Sequence, residues 1–274
     1  MNRLSTTDRA RVVAALVEGN SIRSTVRMTG IAKNTITKLL VDLGVACSAF
    51  LSEALVNLKC RRIQCDEVWS FVYAKDANLP ESKLNEIGVG SVWTWTALCA
   101  DCKLIASWLI GGRDAGTAHE FIHDLAGRLA HRVQLTTDGH KVYIDAVEDA
   151  FGADVDYGML VKVYGESSEG ERRYSPAICT GAQKKTIQGR PDPRHISTSF
   201  VERSNLTLRM GQRRFTRLTN AFSKKIENHM AAVALFVMHY NFARVHQTLR
   251  VTPAMEAGIT DHVWTIEEIV SLID

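Results

Sequence analysis

The stretch Arg61-Arg62-Ile63-Gln64-Cys65-Asp66-Glu67-Val68-Trp69-Ser70-Phe71-Val72-Tyr73-Ala74 decides the fold. Its density of β-branched and aromatic residues predicts a strand. Asp66 stands inside it. A carboxylate among strand formers needs a partner, because an unpaired buried charge is expensive, and metal coordination supplies one. Downstream, residues 91–99 and 103–110 predict two more strands joined by a short turn at 100–102, hence a hairpin. Residues 117–130 have helical spacing through Phe121, Ile122, Leu125 and Leu129. Residues 132–137 predict a short strand, 141–151 a helix and 157–164 a fifth strand.

Three strands, helix, strand, helix, strand is the element order of the ribonuclease H-like fold, an α/β mixed sheet flanked by helices. In that order the first and fourth strands are neighbours. Asp138 follows the short fourth strand, in Leu135-Thr136-Thr137-Asp138-Gly139-His140, and open α/β sheets collect ligand-binding groups at strand ends. Residues 165–198 lack clear periodicity and predict a long irregular insertion. Helical character resumes at Ser199. Ile226, Met230, Val233 and Val237 predict a long buried helix through about Tyr240. Thr252-Pro253 reads as an N-cap with proline in the first turn.

Upstream, residues 6–18 and 21–28 predict helices, with Ser21 as an N-cap and a tight turn at Thr29-Gly30. A third helix starts near Ala32, with Ile36, Leu39, Leu40 and Leu43 on one face and Gly44 past its end. Three helices with a glycine turn before the last predict an N-terminal all-α helix-turn-helix domain, 1–46, placing Lys33, Asn34, Thr37 and Lys38 off the apolar stripe, toward DNA. Residues 47–60 read as a linker, 61–250 as the α/β domain and 251–274 as a C-terminal helical extension.

The 274 residues, 46% apolar and 23% charged, have a globular composition. Net charge is +3, but it is unevenly spread: +4 over 1–44, −7 over 45–170, +11 over 171–250 and −5 over 251–274. Clustered cations following an acidic block are the footprint of a polyanion-binding face beside a carboxylate centre. No unbroken apolar run reaches a membrane span's length. The first ten residues lack the apolar core of a secretory signal. Six cysteines without such a signal predict reduced thiols and a cytoplasmic protein. No phosphate-cradling glycine loop is evident, so no nucleoside triphosphate is expected.

Several longer stretches carry a resemblance. Ser197-Thr198-Ser199-Phe200-Val201-Glu202-Arg203-Ser204-Asn205-Leu206-Thr207-Leu208-Arg209 resembles the glutamate motif of the insertion sequence 1 family of DDE transposases. Arg214-Phe215-Thr216-Arg217-Leu218-Thr219-Asn220-Ala221-Phe222-Ser223-Lys224-Lys225 is similar to another stretch of that family. So is Tyr240-Asn241-Phe242-Ala243-Arg244-Val245-His246-Gln247-Thr248-Leu249, followed by Thr252-Pro253. The resemblance spans about 60–260. It implies a bacterial DNA transposase that binds the terminal inverted repeats of an insertion element and catalyses metal-dependent strand cleavage and transfer, with no covalent protein–DNA intermediate. Asp66, Asp138 and Glu202 would be its catalytic and metal-holding residues, with two Mg²⁺ or Mn²⁺ ions per site. Double-stranded DNA, at element ends and target, would be the partner, no membrane is expected, and a homodimer or higher oligomer would form on DNA. Glu148 and Glu166 are competitors for the third position, since 64 residues separate Asp138 from Glu202 (202 − 138).

Read physically, oxygen ligands suit Mg²⁺ beside phosphate, and paired ions stabilise the attacking and leaving oxygens of a displacement at phosphorus. Arg203, Arg209, Arg213, Arg214, Lys224 and Lys225 are candidate DNA contacts, with Asn205, Arg244 and His246 as candidate support for the active site. Two other functions fit the same features: a DNA-binding regulator with an inactive core, and a structure-selective nuclease. Cys60, Cys65, Cys99 and Cys102 could together bind zinc, but a strand points Cys65 away from Asp66, and core packing suits Trp93 and Trp95.

Overall fold

The structure, a computed structural model, describes residues 4–84, 86–165, 179–216 and 218–274. Six strands form one mixed sheet: β1 (Arg62–Val72), β2 (Gly90–Cys99), β3 (Ile105–Gly111), β4 (Val133–Asp138), β5 (Val155–Tyr164) and β6 (Cys179–Gln188), ordered β3-β2-β1-β4-β5-β6. The β1-β2-β3 meander is antiparallel, β1, β4 and β5 run parallel, and β6 closes the far edge antiparallel to β5. The expected first five strands are present, with the first and fourth adjacent.

Helices cover both faces. Period-two alternation along β2 separates its two sets of neighbours. Trp95 packs on Phe121 of α4 (Ala115–Arg128) and Tyr143 of α5 (Val142–Phe151). Thr94 and Thr96, on the other side, border a small gap lined by Asn205 and Leu208 of α6 (Ser199–Gly211) and Val233 and Phe236 of α7 (Ile226–Met238). Trp95 is fully buried, and Trp93 packs at the margin of the core. Met230, expected in the buried stripe of α7, is instead 50% exposed.

The N-terminal helices are α1 (Thr6–Val17), α2 (Ile22–Thr29) and α3 (Lys33–Ala54). Ser21 caps α2 by accepting the Ser24 N–H at 3.1 Å, and Gly30 makes the turn with φ +73°. The expected end of α3 at Gly44 is corrected: the helix continues through 45–54, most of the segment read as a linker. Gly44 instead marks a close helix crossing. A Cβ there would stand 2.4 Å from Ala231 Cα on α7, so glycine serves close approach rather than termination. The 22-residue α3 has a mean hydropathy of 1.5 over its most apolar window, long and apolar enough to cross a membrane. Polar residues such as Lys38 and Asp42 interrupt it, so it forms no unbroken apolar run. Its Ile36, Leu40, Leu43, Cys47 and Leu51 are buried in one core with the sheet and α7.

The chain ends return to the same region. Thr252 caps α8 (Pro253–Glu256) by accepting the Met255 N–H at 3.2 Å. The last helix, α9 (Ile266–Ser271), packs on α1, and Arg9 reaches Asp274 at 2.8 Å. The expectation of an irregular 165–198 insertion is corrected in its second half: residues 179–188 are strand β6, exposed along nearly its whole length. With neither face buried, it has no apolar alternation to reveal it. Its Lys184 and Lys185 are the kind of charge that keeps an edge strand from pairing with other chains.

Candidate functional site

Gln64, Asp66 and Glu67 lie close enough together on β1 for strand alternation to divide their roles. Asp66 pairs in register with Thr96 and shares its face, toward α6; Glu67 pairs with Trp95 and shares the α5 face. Gln64 is opposite Thr136 in the parallel β1–β4 ladder. Continuing that register by two residues puts Asp66 beside Asp138, the last residue of β4. One carboxylate oxygen from each of Asp66, Glu67 and Asp138 lies within 4.8 Å of the other two. Asp138 is further held by the His140 N–H at 2.9 Å.

Gln64 docks α6. Its Oε1 accepts the N–H groups of Phe200 (2.9 Å) and Val201 (3.1 Å), capping a helix whose own N-cap residue, Thr198, accepts no backbone N–H on its side chain. That fixes the first turns of α6 against β1. Asn205 then donates from Nδ2 to Asp66 Oδ2 at 2.9 Å and accepts the Thr96 hydroxyl on Oδ1 at 3.0 Å. Both ends of the amide are engaged, so its orientation is determined. Glu202, one turn earlier on α6, is near enough to act electrostatically on Asp66. Its Oε1 accepts Lys162 Nζ of β5 at 2.7 Å and the Thr198 hydroxyl. The structure therefore brings Asp66, Asp138 and Asn205 together, with Glu202 alongside but paired to a lysine.

The electrostatics are those of crowded acids. Burial and the charge of Asp138 push the Asp66 carboxyl up to about 6, against the opposing hydrogen bond from Asn205. Burial, with Asp138 and Asp66 nearby, pushes Glu67 up to about 7. Its side chain is 1% exposed, Arg113 approaches Oε2 at 3.3 Å, and the buried Tyr143 hydroxyl faces the same carboxylate and opposes the rise. An all-oxygen donor set with mutual repulsion fits a hard divalent cation. Glu67, Gln64, Arg113 and Lys162 were not singled out from sequence. Glu67 adjoins Asp66 and could have been weighed with it; the others depend on how the strands and α6 assemble.

The remaining candidates divide. Lys33, Asn34 and Thr37 of α3 line a cleft of about 870 Å³ together with Arg213, Arg214, Lys224 and Lys225. Arg23 and Arg27 of α2 join them, and among the described residues none lining it is a carboxylate. Ser223 forms a β-bridge with Val72, fastening this basic segment to the end of β1. Arg214 is committed internally: Nη1 donates to Ser223 Oγ at 2.6 Å and Asn228 O at 2.9 Å. Lys38 lies outside the cleft and pairs with Asp42 at 2.5 Å. Arg203 and Arg209 are exposed on α6. Among the described residues, no contact joins Arg244 or His246 to the carboxylates. His246 is held below its usual range by burial, then by the charges of Lys103 and Arg244. Glu148 sits on α5; Glu166 and Arg217 lie outside the described residues. No family model matches this sequence, and no curated protein matches it.

Proposed function

We propose that this chain is a metal-dependent DNA transposase of the DDE type, built on a ribonuclease H-like core with a helix-turn-helix at its N-terminus. The observation that carries the reading is the meeting of Asp66 and Asp138 on adjacent parallel strands, with Glu202 and Asn205 brought to them by one helix. The strand order β3-β2-β1-β4-β5 with helices on both faces supports the core, and the left-handed Gly30 turn between α2 and α3 supports the DNA-binding unit. Asp66, Asp138 and Glu202 would hold Mg²⁺ or Mn²⁺, with Glu67 against the same oxygens. Bound there, such ions supply charge stabilisation for the attacking and leaving oxygens at phosphorus.

The chain's own groups set the conditions for that chemistry. Asn205 orients Asp66, Gln64 anchors the helix bearing Glu202, and Lys162 balances Glu202 when no metal is held. The basic cleft gives a phosphate backbone a place to lie, since its cations are gathered from α2, α3 and the 213–225 segment with no carboxylate among the described lining residues. Synapsis of two element ends calls for a homodimer or higher oligomer on DNA.

The test is a cleavage-and-joining assay on element-end DNA with Mg²⁺. The wild type cleaves and joins, and Asp138→Ala does neither while retaining DNA binding in gel shifts. Full activity in Asp138→Ala would overturn the assignment. Cutting without joining would identify a nuclease, and binding without cutting a regulator.

A further inference from the structure

Outside the carboxylate cluster, three cysteines far apart in sequence converge. The sulfurs of Cys60, Cys99 and Cys102 lie within 4.8 Å of one another, and all three residues are buried. Cys60 belongs to the segment entering β1, Cys99 ends β2, and Cys102 lies in the turn to β3. Cys65, the fourth thiol considered from sequence, is not part of this cluster: it pairs with Ala97, two positions up the ladder from Cys99.

The backbone of the turn has a particular form. The N–H groups of Asp101 and Cys102 are directed to the Cys99 sulfur, and that of Leu104 to the Cys102 sulfur. Lys103, directly after the second cysteine, takes a left-handed backbone with φ +61°. A non-glycine residue in that region is unusual. Here it turns the chain so that the next N–H, that of Leu104, faces the Cys102 sulfur. A Cys-x-x-Cys turn of this shape presents two sulfurs on one side and stabilises them as thiolates through N–H···S bonds, the knuckle form that suits a thiophilic cation. Tetrahedral zinc–thiolate bonds of about 2.3 Å set sulfur–sulfur separations near 4 Å, within reach of the present cluster.

We propose that Cys60, Cys99 and Cys102 form a zinc site, three thiolates with water in the fourth position, that clasps the β2–β3 turn to the segment leading into β1. Binding converts three thiols to thiolates and releases their protons to solvent; no oxidant or reductant is involved. Zn²⁺ with three thiolates leaves one net negative charge, and Arg62 and Lys103 lie close enough to offset it. The site does not depend on the catalytic reading, and its test requires no DNA.

Full-length protein in a Cys179→Ser background, which removes the exposed thiol, is purified reduced and without chelator, and its zinc is measured by mass spectrometry. One zinc per chain is expected, lost in Cys99→Ser and in Cys60→Ser and retained in Cys65→Ser and in His119→Ala. The last variant disables the exposed His119–His123–Asp149 group, a rival metal-binding cluster. Replacement of zinc by Co²⁺ in the unmutated cluster gives intense thiolate-to-cobalt absorption in the near ultraviolet. This readout does not depend on any cluster variant folding. Absence of that band, or zinc retained in Cys99→Ser, overturns the proposal. So does a Cys99–Cys102 disulfide in freshly purified anaerobic protein.

Discussion

Glu67 illustrates how one residue ties stability to the candidate site. Its carboxyl is held up to about 7, mainly by burial, so the folded chain takes up its proton more readily than the unfolded chain, where the value is near 4.5. A raised acid costs stability above its folded value, and the cost fades as pH falls toward the unfolded one. Glu67→Gln is therefore expected to stabilise the metal-free protein at pH 8 by about 1–3 kcal/mol, a gain that shrinks by pH 5. The comparison must be between variant and wild type. Buried His229, pushed down to about 3 by desolvation, works in the opposite direction, losing stability as pH falls below the unfolded histidine value. Thermal melts of both proteins across pH give the difference, and a constant gain at every pH would refute the assignment. Asn205 poses a complementary case. Asn205→Ala removes the donor that steadies Asp66 and is expected to weaken Mn²⁺ binding by about 10–100-fold, read by titration calorimetry, while gel-shift binding of DNA stays near wild type.

Among elements, α3 departs furthest from its sequence reading. A glycine after a hydrophobic run is a common helix terminator, yet Gly44 continues the helix and lies against Ala231 of α7. Sequence carries no mark distinguishing a terminating glycine from one at a crossing, because the difference lies in a partner helix almost two hundred residues away. Gly44→Val should force α3 and α7 apart, costing about 1–3 kcal/mol and lowering the melting temperature by several degrees; an unchanged melt would mean that the crossing is loosely packed. Strand β6 was hidden for a different reason. It has no buried face, so its pairing with β5 rests on backbone hydrogen bonds that side-chain pattern does not report. By contrast β1 to β5 were legible, since each alternates or concentrates apolar residues for burial. Helix α6 was legible too, but not the Gln64 cap that seats it.

For the whole molecule, the question is how the basic block meets the N-terminal helices. The +11 segment and the +4 segment are separated by the acidic one in sequence, and the fold joins them across one cleft. Lys33, Arg213 and Lys224 face that cleft; Lys38 faces away and is paired to Asp42. A Lys33→Ala/Arg213→Ala/Lys224→Ala variant should bind DNA more weakly, with the slope of log affinity against log salt falling by roughly 0.9 for each phosphate no longer neutralised. Lys38→Ala should leave the slope unchanged. Filter binding over a salt series measures both, and equal slopes for the triple variant and the wild type would rule out the cleft as the proposed DNA-binding surface.

Local chemistry determined much: the order of strands and helices, the caps at Ser21 and Thr252, the carboxylates at Asp66 and Asp138, and the uneven charge. These follow from periodicity and side-chain type, which act over a few residues. Tertiary structure alone decided that Glu67 joins those acids, that Lys162 holds Glu202, that Cys60 rather than Cys65 meets the Cys99–Cys102 turn, and that α3 runs on to cross α7. Such outcomes depend on which strands become neighbours and how closely helices approach, and those are properties of long-range packing that no short window of sequence contains.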